Sequence, residues 1–259
     1  MASFIHETAI VDAGAQVGDG CHIGPFSIVG DGVVLGDGVR LDSHVVVDGR
    51  TTIGEKTHVF PFVSIGLAPQ DLKYGGEETA TEIGKRNQIR EFVTIHRGTA
   101  GGGALTKIGD DNLFMAQAHV AHDCQIGSEV IMANAATLAG HVEIANRANV
   151  GAYSGVHQFC RVGFEAFVGG YSVVVKDAPP FAIIQGNHAK CYGLNRVGMK
   201  RRGYAKDTIE KLHRAYHLLL SAKLNTTQAL EKIKEEITGC DEVDMLVKFY
   251  ESTKRGVVR

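Results

Sequence analysis

Every sixth residue along most of this chain is apolar. The beat starts at Ile5 and passes through Val11, Val17, Ile23, Val29, Leu35, Leu41, Val47, Ile53 and Val59 to Ile65 without a miss. It resumes at Ile83, Ile89 and Ile95, then runs from Ile108 through Phe114 and Val120 to Val174. Such a period matches neither a helix, at about 3.6 residues, nor a plain strand, at about 2. It is the hexapeptide signature of a parallel β-helix, in which each unit forms one face of a coil. Two positions before each beat sits a small or β-branched residue, as at Ala9, Ser27, Val45, Ala118, Cys124 and Ala166. Alternate strand residues face the same way, so each face contributes one large and one small side chain to a narrow core. Glycine often follows the beat, which suits a corner needing positive φ or close backbone approach.

The beat ends after Val174 and Pro179-Pro180 follows. Beyond it the pattern turns helical. Asp207 or Thr208 can cap a helix carrying Ile209, Leu212, Ala215, Tyr216, Leu219 and Leu220. Asn225 precedes a second with Leu230, Ile233 and Ile237, and Asp241 a third with Val243, Leu246, Val247 and Tyr250. The expected organisation is mainly β: a β-helix over residues 1–187 and a C-terminal α-helical domain over 188–259 that caps the coil or packs against a neighbour. Two segments interrupt the beat, near 67–80 and 97–106. Asp71 and Glu77 fall on beats of the first, and glycine dominates the second. Loops leaving a rigid scaffold are where function concentrates.

Composition narrows the class. There is no tryptophan, as expected of a thin aliphatic core, and Cys21, Cys124 and Cys160 fall on small inward positions rather than in a disulfide pattern. No run reaches the roughly 18 apolar residues of a membrane span. The first residues lack the basic and apolar regions of a secretion signal, so a cytoplasmic location is expected. Residues 1–187 hold 12 basic and 20 acidic side chains, whereas 188–259 hold 15 basic and 9 acidic. The basic end is either a solvated face or a docking surface for an acidic partner. No aromatic interleaving or binding motif points to nucleic acid.

Candidate chemistry comes from counting coils. Three hexads make one coil of 18 residues, so residues that far apart stack about 4.8 Å from each other. His122, Gly140 and Gln158 share one such column, and Asp123 stacks against His141. His119 and His157 lie nearby. An imidazole beside a glycine N–H and a carboxylate suits acyl transfer, as general base, oxyanion donor and orienting group. The same histidines on exposed corners could be incidental, or could hold zinc as in hexapeptide-fold carbonic anhydrases.

The strings Thr94-Ile95-His96-Arg97-Gly98-Thr99, Ala118-His119-Val120-Ala121-His122-Asp123-Cys124, Leu138-Ala139-Gly140-His141-Val142 and His157-Gln158-Phe159-Cys160 resemble UDP-N-acetylglucosamine 3-O-acyltransferases. So do Gln70-Asp71-Leu72-Lys73-Tyr74, Gln185-Gly186-Asn187-His188-Ala189 and Lys200-Arg201-Arg202-Gly203, in order along the chain. The resemblance implies a left-handed β-helix, a homotrimer with sites between subunits, and no metal or redox cofactor. The implied reaction moves a 3-hydroxyacyl chain from acyl carrier protein to the 3-hydroxyl of UDP-N-acetylglucosamine, the first step of lipid A synthesis. It implies His122 as base, Gly140 N–H as oxyanion donor and Asp123 as orienting group. Asp71, Lys73, His119, His141 and Gln158 would hold the sugar and phosphates, and Asn195, Arg201 and Arg202 the nucleotide. Val197 stands where the family commonly has glutamate, beside Arg196. Gly170 and His188 would set acyl length, with glycine favouring a long chain such as hydroxymyristoyl. The sibling N-acyltransferase of the pathway should carry a separate uridine-binding N-terminal domain, whereas hexads here begin at Ile5. A non-catalytic β-helix scaffold is the binding-class alternative.

Overall fold

The computed structural model describes residues 2–259. Short strands wind into a left-handed parallel β-helix with three faces, forming sheets of 11, 9 and 8 strands. The first face opens with Phe4–Ile5, the second with Ile10–Val11 and the third with Gln16–Val17. Register repeats at 18 residues, as in His119↔Thr137↔Gly155. Parallel crossovers are usually right-handed because long strands transmit their twist to the connection. Strands of two residues, as most of these are, transmit little.

The beat residues fill the core. Ile23, Leu41, Ile53, Ile65, Phe114 and Leu138 are fully buried, and so are the small partners Val45, Ala118 and Ala136. All five cysteines are free, and Cys21, Cys124 and Cys160 are buried inside the coil. The N-terminal coil is open at its end, leaving Ile5 and Ile10 exposed.

The two glycine readings separate here. Gly24, Gly54 and Gly151 need close approach: a Cβ would come within 2.5–2.8 Å of the next coil's backbone. Positive φ falls instead on the residue three places after the beat, and nineteen described non-glycine residues adopt it. These form corner columns. The first corner, between first and second faces, stacks Phe26, His44, Phe62 and Phe92 at ring spacings of 4.8–5.1 Å. The third corner, between third and first faces, carries charges, with Arg86 on Asp111 and Arg147 on Glu129.

Both interruptions leave from the second corner, between second and third faces. Across the first loop, Ile53 pairs with Ile83 and Ile65 with Ile95, 30 residues apart instead of 18. Across the second, Ile83 pairs with Ile108 and Ile95 with Val120, 25 apart. The loops thus add 12 and 7 residues without disturbing the core register.

The C-terminal region differs from expectation at its edges. The first face continues past Val174 through Ala182–Gln185, which turns back antiparallel on Lys190–Leu194. The 187/188 boundary therefore falls inside a hairpin, invisible to the hexad count because it has no beat. Four helices follow: α1 (Arg196–Arg201), α2 (Lys206–Leu220), α3 (Thr226–Glu236) and α4 (Asp241–Glu251). Asn225 caps α3 through a reciprocal box with Gln228, as the pattern suggested. Helix α2 instead begins after Ala205, so Asp207 lies within its first turn, and Asp241 is the first residue of α4 rather than its cap. Acidic residues there still favour the positive helix end. The apolar faces are buried as read, and the Tyr216 hydroxyl donates to Pro180 O, fixing α2 over the end of the coil.

Candidate active site

Strand His119–Val120 delivers the chain to the second corner, where His122 and Asp123 turn it. Asp123 takes the left-handed conformation at φ 60° and His141, one coil on, repeats it at 62°. Both belong to the corner column that the hexads impose, so the stacking predicted by counting is present. His141 N–H donates to His122 O, and Phe159 N–H to Gly140 O, joining successive coils through the site. The His141 ring stacks on Phe159 at 4.4 Å and meets His122 edge-on at 5.1 Å.

His122 Nδ1 lies 2.7 Å from Asp123 Oδ2. A carboxylate accepts, so this nitrogen carries the proton and Nε2 is left with a lone pair. The ring lies over Gly140: a Cβ there would meet His122 Cε1 at 2.6 Å. Only glycine lets the base and this backbone approach so closely. Among the described residues the Gly140 N–H has no hydrogen-bond acceptor, so it is available to a developing oxyanion.

Asp123 has no solvent exposure in its side chain. The glycine-rich loop makes this possible. Thr99 donates to it twice, N–H to Oδ1 at 2.9 Å and Oγ1–H to Oδ2 at 2.7 Å, while Gly102 packs directly on the carboxylate. Thr106 Oγ1 accepts the Asp123 N–H at 2.8 Å. Fixed this way, the carboxylate orients its neighbour and stabilises the imidazolium that proton uptake creates. His122, Asp123 and His141 have ligand atoms within 4.8 Å of one another, a spacing a metal could use. The Asp123 oxygens, however, are committed to Thr99 and His122, so the group is arranged as a hydrogen-bonded dyad.

Other histidines surround it. Thr94 Oγ1 sits 2.6 Å from His119 Nδ1. Burial, with His122 adding to it, lowers the His119 pKa. Burial lowers that of His141 too, against an opposing pull from Asp123 and from Asp71 in the projecting loop. Asp71 thus belongs electrostatically to this corner, while Lys73 is exposed on the same loop. Gln158 and His157 are exposed on the next coil.

Three contributors had no assigned role in the sequence: Thr99, Phe159 and His96. His96 is 5% exposed, and burial beside His119 and His122 pushes its pKa down to about 4. Thr99 borders a flagged interruption, but nothing in a repeat count indicates where a loop returns.

The remaining candidates lie elsewhere. Asn195 caps α1, its Oδ1 accepting from Gly198 N–H at 2.9 Å. With Arg201, Arg202 and exposed Val197 it lines a cavity of about 380 Å³ against first-face residues Asn149, Phe167 and Ile183. Arg201 is exposed, whereas Arg202 pairs with the buried Glu165 at 2.9 Å. In a three-sided coil the first face is opposite the second corner, so this cavity and His122 look away from each other within one protomer. Gly170 sits at the first corner and His188 in the hairpin turn, both exposed at the C-terminal end of the coil. Val173 N–H donates to Gly186 O, bringing the turn against that corner.

Comparison with known proteins gives this geometry a lineage. A family model described as UDP N-acetylglucosamine O-acyltransferase, domain 2, matches residues 177–258, and a bacterial transferase hexapeptide model matches 14–49. The solved LpxA from Acinetobacter baumannii is 45% identical, with a TM-score of 0.97, over 99% of this chain and 100% of that one. The UDP-N-acetylglucosamine acyltransferase of Bacteroides fragilis is 37% identical with the same TM-score and coverage. The Arabidopsis enzyme is 31% identical, with a TM-score of 0.87, over 99% and 100% of the two chains. Sequence and fold agree along the whole length, and this chain belongs to the UDP-N-acetylglucosamine acyltransferase family.

Proposed function

We propose that this protein transfers a 3-hydroxyacyl group from acyl carrier protein to the 3-hydroxyl of UDP-N-acetylglucosamine, in the cytoplasm, with His122 as general base. One observation carries the reading: the Asp123-bound imidazole lies on Gly140 beside an uncommitted backbone N–H. His122 Nε2 takes the proton of the sugar hydroxyl as its oxygen attacks the thioester carbonyl. The Gly140 N–H steadies the oxyanion. The C–S bond then breaks, and the departing thiolate recovers the proton from His122. His119, His141, Gln158, Asp71 and Lys73 are assigned to the sugar and phosphates.

The nucleotide contacts are assigned to Asn195, Arg201 and Arg202. Arginine suits a diphosphate because its planar fork donates two parallel charged hydrogen bonds. Those residues face away from His122 in the same protomer, so a complete site requires a second copy. Three copies in a ring, each setting its second corner against the next first face, supply this. Arg202 must then share its charge between Glu165 and the ligand. With no side chain at Gly170, the acyl groove is assigned a long chain.

The test is turnover with both substrates. The unchanged protein should transfer the acyl group, and His122→Ala should lose roughly 10³-fold or more while assembling normally. Near-normal transfer by His122→Ala would remove the base assignment.

A further inference from the structure

The third face carries a groove that base, oxyanion donor and nucleotide contacts leave unused. Two cavities meet there, one of about 600 Å³ beside the dyad and one of about 690 Å³ along α4. Gln125, Glu143, Arg161 and Ser252 wall both. The smaller cavity ends on Asp123, His141 and Phe159, and its outer wall is Lys254 and Arg255.

Those two cations are held by a fixed backbone. Thr253 Oγ1 donates to Asp177 Oδ2 at 2.8 Å, Asp177 N–H to Gly256 O at 2.9 Å, and Val258 N–H to Asp177 O at 3.0 Å. Arg161 ties the same strip down, donating to Asp177 Oδ2 and to Ser252 Oγ, each at 3.0 Å. Asp177 is therefore consumed by Arg161 and Thr253, and Asp123 by Thr99 and His122. Among the described residues Lys254, Arg255 and nearby Lys248 form no ion pair, and Glu143 is the remaining carboxylate on the wall. Two exposed cations with fixed backbones, at the mouth of a cavity whose floor is the catalytic corner, form a site built for an anion.

We propose that this cavity binds the phosphodiester of a phosphopantetheine arm, the tether by which a carrier protein presents its thioester. The inference rests on the acyl-transfer reading. The segment 188–259 holds 15 basic against 9 acidic residues, and Lys254 and Arg255 are where that basic end comes closest to the dyad. An acidic carrier docked on it feeds its arm past the His141 edge toward His122. The diphosphate of the nucleotide is the other phosphate in the reaction, but its arginines lie on the first face.

Truncated donors separate the sources. The unchanged protein should use 3-hydroxyacyl-4′-phosphopantetheine with a KM about tenfold below that of 3-hydroxyacyl-pantetheine. Lys254→Gln with Arg255→Gln should erase that difference and raise the KM for the acyl carrier protein about tenfold, leaving kcat and the KM for UDP-N-acetylglucosamine unchanged. Lys254→Gln alone, at an exposed side chain, should move each value part of the way with no cost in folding. Equal KM values for the two small donors in the unchanged protein would overturn the proposal. So would a rise confined to UDP-N-acetylglucosamine, or one confined to the whole carrier with small donors unaffected. Failure of the unchanged protein to transfer from any donor would instead overturn the acyl-transfer reading beneath it.

Discussion

At the third corner, Arg86 and Asp111 occupy equivalent turns of successive coils, and at the second corner Asp123 and His141 do the same. The backbone is identical: left-handed residues at φ 55–62° set three places after the beat. The chemistry is not. Arg86 and Asp111 are 46% and 42% exposed in their side chains and pair at 2.6 Å in water, where such a bond is worth about 0–1 kcal/mol. Asp123 is fully covered, hydrogen-bonded from two sides, and joined to a base. What separates the corners is the 7-residue loop that enters only at the second, laying Thr99 and Gly102 over the carboxylate. A repeat scaffold offers the same corner on every coil. An insertion that excludes water from one of them turns a surface ion pair into a reactive one.

Removing the covered charge should have the largest effect. Asp123→Asn keeps the shape but can present an N–H where His122 needs an acceptor, so kcat should fall by roughly 10²–10⁴ with substrate KM little changed. Steady-state kinetics on the folded variant reads this directly.

Burial at this corner should also appear as acid sensitivity. The His96 pKa is pushed down to about 4, against about 6.5 in the unfolded chain. Between those values the unfolded state binds the extra proton, so stability is intact at pH 7 and is lost as pH falls from about 6.5 toward 4. His119 and His141, lowered as well, act in the same direction. Chemical denaturation at pH 7 and 5 should show His96→Gln with a shallower loss than the parent, by up to about 1.4 kcal/mol per pH unit. Parallel pH profiles would deny His96 this role.

The smallest change belongs to the third corner. Arg86→Ala should alter unfolding stability by less than about 1 kcal/mol and leave turnover unaffected. A loss comparable to that at Asp123 would mean that loop coverage is not what distinguishes the corners.

Much of this was legible from periodicity. The beat located the core from Ile23 to Val174, and eighteen-residue counting put His122 on Gly140 and Asp123 on His141. Those predictions work because a coil converts sequence separation directly into distance. The failures lie where that conversion stops. The hairpin from Ala182 to Leu194 pairs antiparallel, outside the hexad rule, and the short α1 is too brief to show an apolar stripe. Thr99 escaped because the return path of a loop is set by its contacts rather than by a period. Positive φ at residues such as Phe26 and Asp123 was hidden because glycine, the usual marker, was needed elsewhere for close coil packing. Asn195 and Arg202 were identified by resemblance, yet their partners Gly198 and Glu165 emerge only from the fold.

The covered corner is only half of the proposed site, with the other half on the first face of the next copy. Mixing two inactive variants tests this most directly: His122→Ala, which spoils the corner, and Arg201→Glu, which spoils the nucleotide side. Each alone should be inactive. Unfolded together at equal amounts and reassembled, random trimers in which each site joins neighbours should recover about one quarter of the parent activity. No recovery above the separate variants would contradict a site shared between copies.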